Sequence, residues 1–283
     1  MPARPAGEPI PRDEANRARP VVDVGTLNFP EQVLLGRLYA GALRAAGYRV
    51  RVRSDLGSEA AAVRALRRGK IDAFPGYLGS VLGRPVPRGR AAAYKRVREA
   101  FARRGVAALP PTPFEDAPGF AVRRSTARRL PGTRLSDLRG VARRLTLAGP
   151  PGCARREDCA RGLRRVYGLR FRRVRDVPLA RRHAILRGRG AHVGAVFTTD
   201  ADLAHGDLVL LRDDRHLIPP YPVTLLVRDR TLDDAGRSLP TTIGLLQTTL
   251  TTPAMQRLNA SLARGTPASR VASRHLRRTG LVR

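Results

Sequence analysis

Between residues 21 and 74, short apolar runs of strand length alternate with longer stretches of helical period, and this alternation narrows the fold more than any other feature. Residues 21–24 predict a strand. Pro30, at a helical N1 position, opens a helix with Val33, Leu34, Leu38 and Leu43 on its apolar stripe, and Gly47 closes it. Residues 48–53 alternate through Val50 and Val52 as a half-buried strand. Ser58 caps a second helix that runs through Leu66 and stops at Gly69. Residues 71–74 are a third strand, leading into the turn Pro75-Gly76-Tyr77-Leu78-Gly79-Ser80. A βαβαβ succession predicts a parallel sheet with right-handed crossovers, hence an α/β fold with ligands beyond the carboxyl ends of the strands. Residues 25–28 and 76–80 sit there.

A second set of elements follows Asp116. Strands are predicted at 120–122, 145–148, 169–174, 193–197 and 208–211, with helical stretches between most of them, then a further strand at 223–227 ended by Arg228-Asp229-Arg230. Helices are expected near 243–250, 253–262 and 267–276, the last with Thr266 as its N-cap. The 283 residues suit two α/β halves. Lobe I is expected at 21–117 with 222–283 and lobe II at 118–221, with a ligand cleft between them. Residues 1–20, rich in Pro and Arg and without periodicity, predict a disordered leader. They hold no apolar core of a secretory signal, so either the protein stays inside or the start as given omits the signal.

The formal net charge is +31, and Lys70 and Lys95 are the only lysines among 54 basic residues. The densest stretch, 151–190, has thirteen arginines against Glu157, Asp158 and Asp176. No nucleic-acid motif accompanies it and there is no Trp, so a solvated basic surface is the expectation, with weak attraction to anionic membrane surfaces rather than specific nucleic-acid binding. The longest uncharged stretch, 238–256, is Thr-rich and carries two prolines, unlike a membrane helix. Cys153 and Cys159 are either a small local disulfide or two free thiols. Neither a metal site nor a cofactor is expected. The histidines show no HExxH pattern, there is no GxSxG or Walker motif, and no nucleophile, base and orienter stand out. The residues point to binding rather than catalysis.

Several segments together resemble the substrate-binding proteins of quaternary-amine (glycine betaine, choline, carnitine) ABC transporters. They are Val24-Gly25-Thr26-Leu27-Asn28-Phe29-Pro30-Glu31-Gln32, the run from Leu66 through Ile71-Asp72-Ala73-Phe74-Pro75-Gly76-Tyr77-Leu78-Gly79-Ser80, and Gly149-Pro150-Pro151-Gly152-Cys153-Ala154-Arg155-Arg156-Glu157-Asp158. Phe197-Thr198-Thr199-Asp200, then Leu211-Arg212-Asp213-Asp214 leading to Pro219-Pro220-Tyr221, extend the likeness over about residues 21–282. The resemblance implies a two-lobed type II periplasmic-binding-protein fold, no enzymatic activity, an extracytoplasmic location, and a permease with its ATPase as partners. It also implies an aromatic box for the cation, to which Tyr77, Tyr221 and Phe197 correspond, with Asp116 offering its backbone carbonyl and Arg156 and Ser80 holding a carboxylate. Leu27 stands where the family has a lysine, Gly76 replaces an acidic residue and Pro118 a tyrosine. These departures favour choline, or a bulkier betaine-like compound, over tight glycine betaine binding. Plainer readings stand beside them: Tyr77 as a cap of the sheet, Tyr221 as hinge packing, Phe197 as core, Ser80 as a helix N-cap and Arg156 as one surface arginine among many. A cytoplasmic or degenerate amine-sensing protein of the same fold is the alternative, and an Arg-rich polyanion binder a more distant one.

Overall fold

A computed structural model describes residues 8–178 and 181–283. In chain order come β1 (Val22–Gly25), α1 (Pro30–Ala45), β2 (Val50–Arg53), α2 (Glu59–Arg67), β3 (Ala73–Tyr77), α3 (Arg90–Ala102) and β4 (Val106–Ala108). Next are β5 (Pro118–Arg123), α4 (Arg124–Ala127), β6 (Thr146–Gly149), α5 (Ala160–Tyr167), β7 (Arg173–Asp176), α6 (Arg182–Arg187), β8 (Val193–Phe197) and β9 (Leu208–Leu211). The chain ends with β10 (Val223–Arg228), α7 (Asp229–Ala235), α8 (Ser238–Thr249), α9 (Thr252–Ala263) and α10 (Ala268–Arg278). Two compact units result: the described residues up to Glu115 with Pro220–Arg283, and Asp116–Pro219. Asp116 thus goes with the second unit and Tyr221 with the first, because Thr199 holds the Asp116 carboxylate and a β-bridge ties Glu115 to Pro222.

The first unit's sheet has the order β2-β1-β3-β10-β4, with β1 parallel to β2 and β3, and β10 antiparallel to β3 and β4. The predicted βαβαβ unit is present, but the sheet is mixed. Period-two alternation along β3 and β10 divides the core. Ala73, Tyr77, Leu225 and Val227 join the cluster around Leu34, Leu38, Leu43 and Ile243, while Phe74 and Leu226 join Val63, Leu66, Val97 and Phe101 on the other face. The expected turn at Pro75–Tyr77 is strand, since β10 pairs Leu225 with Pro75, Thr224 with Gly76 and Val223 with Tyr77. Pro75 is tolerated there because the Leu225 carbonyl opposite it turns away, accepting from the Leu109 N–H at 3.0 Å. Ser58 caps α2 as expected, accepting from the Ala61 N–H. Thr266 does not cap α10. Its N–H closes α9 onto the Ser261 carbonyl in a Schellman turn around Gly265, and Pro267 takes the N-cap position.

The predicted leader is corrected from Glu8 onward; residues 1–7 lie outside the described residues. Ile10 is buried and its N–H donates to the Leu281 carbonyl, while the fully buried Asn16 amide donates to the Ala46 carbonyl at 2.8 Å, closing the end of α1. A Pro- and Arg-rich composition conceals such a plug because its anchors are two side chains and a few backbone bonds.

The second unit's sheet, β7-β6-β8-β5-β9, repeats the plan of the first: β6 parallel to β7 and β8, β5 antiparallel to β8 and β9. Its β7 begins four residues later than predicted, because Gly168 in the left-handed region ends α5 and Leu169 is buried before the strand starts. Cys153 and Cys159 form a buried disulfide with Cα atoms 5.2 Å apart. It leaves no room for a side chain at Gly149, where a Cβ would lie 2.4 Å from Cys153 Sγ and 2.8 Å from Cys159 Sγ. Both sheets end in an arginine-bearing edge strand, Arg51 and Arg53 on β2, Arg173 and Arg175 on β7.

Candidate functional site

In each unit, one strand ends where the chain, arriving from the other unit, lays down its antiparallel neighbour. Tyr77 ends β3 and pairs with Val223, the first residue of β10; Phe197 ends β8 and pairs with Pro118, the first residue of β5. The next bond also repeats: Leu78 N–H to the Pro222 carbonyl, and Thr198 N–H to the Ala117 carbonyl, each at 3.0 Å. Tyr221 and Asp116 each lie two residues ahead of these arriving strands. The sequence-predicted residues Tyr77 and Tyr221, and Phe197 and Asp116, therefore occupy equivalent positions in the two sheets, at carboxyl strand ends.

In the first unit, the Tyr77 hydroxyl donates to Glu31 Oε1 at 2.9 Å, and its N–H to Glu59 Oε1 at 3.1 Å. Its ring stacks on Phe29, centroids 6.3 Å apart, and Phe29 is the exposed large apolar side chain of the described residues. Glu31 Oε2 accepts from Asn259 Nδ2 at 2.7 Å. Burial holds the Glu59 carboxyl above its ordinary pKa, opposed by hydrogen bonds from Ser80 and the Tyr77 N–H. Ser80 is thus tied to Glu59. The half-buried Tyr221 ring lies on the backbone of Gly79, where a Cβ would come within 2.5 Å of its Cε2 and Cζ. Its N–H donates to Glu115 Oε2, and Glu115 also pairs with Arg90 at 3.0 Å. Leu27 is core, packed among Val63, Leu66 and Ile71. Gly76 has Val81 against it, with a Cβ meeting Val81 Cγ2 at 2.7 Å.

In the second unit, the Phe197 N–H donates to Asp200 Oδ2 at 2.8 Å, and the Arg182 guanidinium lies over its ring, 5.6 Å from the centroid. Burial alone would raise the Asp200 carboxyl, but hydrogen bonds from His183 and Arg182 outweigh it and hold the group below its ordinary pKa. Asp116 Oδ1 accepts from Thr199 at 2.7 Å, and Pro118 faces Phe197 across the strand pair. Arg156, inside the disulfide loop, grips Asp158 with two bonds, Nε at 2.8 Å and Nη2 at 2.6 Å, and its side chain is about half exposed. Sequence reasoning passed over Phe29, Glu31, Glu59, Gly79, Arg182 and Asp200. Phe29, Glu31, Gly79 and Asp200 lie inside the motif segments, whereas nothing local marks Arg182. Among the described residues, no group of three or more His, Cys, Asp or Glu is placed to hold a metal ion.

Two α/β units of one sheet plan, each bearing ligand-type side chains at the equivalent strand end, define the class: a solute-binding protein of the periplasmic-binding fold. Over residues 20–278 the chain matches, and belongs to, the family of substrate-binding domains of ABC-type glycine betaine transport systems. That is a transport family and not an enzyme family. The chain is 29% identical over 141 residues to the carnitine transport binding protein OpuCC of Listeria monocytogenes, covering 50% of this chain and 46% of that protein. It is 30% identical over 220 residues to a glycine-betaine-binding protein of Pseudomonas aeruginosa, covering 72% and 70%. The match thus spans about half the length of the Listeria relative. A crystal structure of a glycine betaine/carnitine/choline ABC transporter protein shares the fold, with a TM-score of 0.84 at 23% identity over 90% of this chain and 97% of the other. No helix among the described residues is long and apolar enough to cross a membrane.

Proposed function

We propose that this chain captures choline or a betaine-like quaternary amine outside the cytoplasm and hands it to a membrane permease driven by its ATPase. The observation that carries the reading is the pair Tyr77 and Tyr221 at one strand junction, backed by Glu31, Glu59 and Glu115. A quaternary ammonium has no N–H to donate, so a protein holds it with aromatic faces and nearby negative charge. In this reading Asp116 adds its carbonyl to the cation, Ser80 a hydroxyl, and Phe197 a ring; Arg156 exchanges Asp158 for a ligand carboxylate. The buried disulfide supports an oxidising compartment, and the basic surface adds weak attraction to anionic headgroups.

A thermal-shift screen with choline, glycine betaine and carnitine tests the proposal. Ligand at about 100 times its Kd should add about 2.7 kcal/mol, and Tyr77→Ala or Tyr221→Ala should abolish the shift. Folded protein that shifts with none of the three would overturn it.

A further inference from the structure

The arginines of this chain are not neutralised evenly. All 23 Asp and Glu residues lie at or before Asp234, so residues 235–283, which include α8, α9 and α10, carry eight arginines and no acidic side chain. Elsewhere arginine meets carboxylate: Arg51 and Arg53 share Asp23, Arg161 and Arg165 share Glu157, and Arg187 bridges Asp202 and Asp207. Among the described residues, no ion pair joins a carboxylate to Arg270, Arg274 or Arg277 of α10, or to Arg37 of α1. Spaced i, i+4 and i+7, the three α10 guanidinia share one exposed side of that helix. The acidic residue of α1, Glu31, is buried near the other end of its helix.

Charge and apolar surface meet where α10 packs along α1. A groove of about 350 Å³ runs between these helices, lined by Ala45, Ala272 and Leu276 together with Arg37, Arg44 and Arg277. Gly41 lets the helices approach, since a Cβ there would lie 2.7 Å from Leu276 Cδ1. Arg44 is held at the groove by its bond to the Val50 carbonyl at 2.6 Å. We propose that this α1–α10 face of the first unit docks on an anionic phospholipid membrane. Such a lipid complements both parts of the face, with a phosphate for the planar guanidinium forks and hydrocarbon for the apolar lining. A nucleic acid complements only the first, because neither helix exposes an aromatic ring on which a base could stack. Along α1, Arg44 lies roughly 20 Å from Glu31 and the Tyr77 hydroxyl that Glu31 holds. Docking therefore leaves that strand end uncovered, and the inference is independent of which solute the chain binds.

Flotation of the full chain with vesicles tests this, using phosphatidylcholine alone and an equal mixture with phosphatidylglycerol. The parent should float with the mixture and not with phosphatidylcholine alone, and added salt should release it. The variant Arg37→Glu/Arg274→Glu/Arg277→Glu should bind the mixture at least about 30-fold more weakly. A control with the same change in charge, Arg143→Glu/Arg164→Glu/Arg170→Glu, alters exposed arginines of the second unit and should lose no more than a few-fold. Equal losses in the two variants would mean that overall charge alone attracts the chain, and would overturn the inference, as would a parent that does not float with the mixture. Should the glutamate variant not fold, Arg37→Gln/Arg274→Gln/Arg277→Gln decides: it should still weaken binding about tenfold, and an unchanged affinity overturns the inference. Tighter binding of a single-stranded oligonucleotide than of the vesicles, lost in the same variant, would give the face to nucleic acid and overturn it too.

Discussion

The two units share a sheet plan but fix their candidate site residues by different means. In the first, Tyr77 and Tyr221 are set by carboxylates and by the bare backbone of Gly79, above a core with helices on both sheet faces. In the second, Phe197 is set by an Asp200–Arg182 pair, and the end of β6 is pinned by a disulfide. Topology supplies the location, a strand end beside an arriving strand; side chains from other elements give each end its charged neighbours, Glu31 and Glu59 at Tyr77, Arg182 with Asp200 at Phe197.

Acid should separate the units most strongly. His275 in the first unit is 2% exposed, its Nε2 lies 2.9 Å from Thr249 Oγ1, and its Nδ1 has no partner. Burial, reinforced by Arg278 and Arg257, pushes its pKa down to about 4. The unfolded chain takes up this proton below about pH 6.5, the folded one only below about 4, so stability falls as pH drops through that window and levels off beneath it. The loss is roughly 3 kcal/mol. Glu59, with its raised carboxyl, acts in the opposite sense, so the comparison is between parent and His275→Gln by urea unfolding at pH 7 and 4.5. The variant should lose most of the acid sensitivity; equal sensitivity would refute the assignment. Asp200, depressed instead, stabilises the second unit above the ordinary carboxylate range and ceases to do so only at lower pH.

Reduction should single out the other unit. Replacing both cysteines by serine releases a short loop and should cost about 2 kcal/mol. Amide hydrogen exchange should show lost protection in β6 and α5 with the first unit unchanged; a uniform loss would erase the contrast. The smallest effect concerns the Tyr221 ring. Gly79 does not have a left-handed backbone, so Gly79→Ala should fold, yet its methyl must displace the ring. Amine binding should weaken by about 0.5–2 kcal/mol on calorimetry, and unaltered affinity would remove Tyr221 from the site.

Much of the first unit was legible because its signals are local: Pro30 at N1, the Ser58 cap, the alternation of Val50 and Val52. The strand character of Pro75–Tyr77 was not, since it depends on β10, about 150 residues away in sequence. Tyr77, Tyr221, Phe197 and Asp116 were legible only as positions of the family resemblance; the pairing of strand ends that makes them equivalent was not. Arg182 was hidden among the thirteen arginines of residues 151–190, where only proximity to Phe197 distinguishes it. The packed segment around Asn16 was missed for a similar reason: its composition is that of an unstructured chain, and its anchors belong to α1 and α8.

The arginines on the two edge strands have a further bearing. An uncapped β-edge is a template on which another chain can zip, and a row of fixed positive charge makes two such edges poor templates for each other. With so few lysines, the charge on β2 and β7 is carried by guanidinium, which stays protonated at any pH the protein meets, and on β2 Arg51 and Arg53 share the single Asp23 carboxylate, leaving a net positive edge. Colloidal stability at these edges is therefore insensitive to pH and sensitive to ionic strength, the reverse of the acid response set by His275.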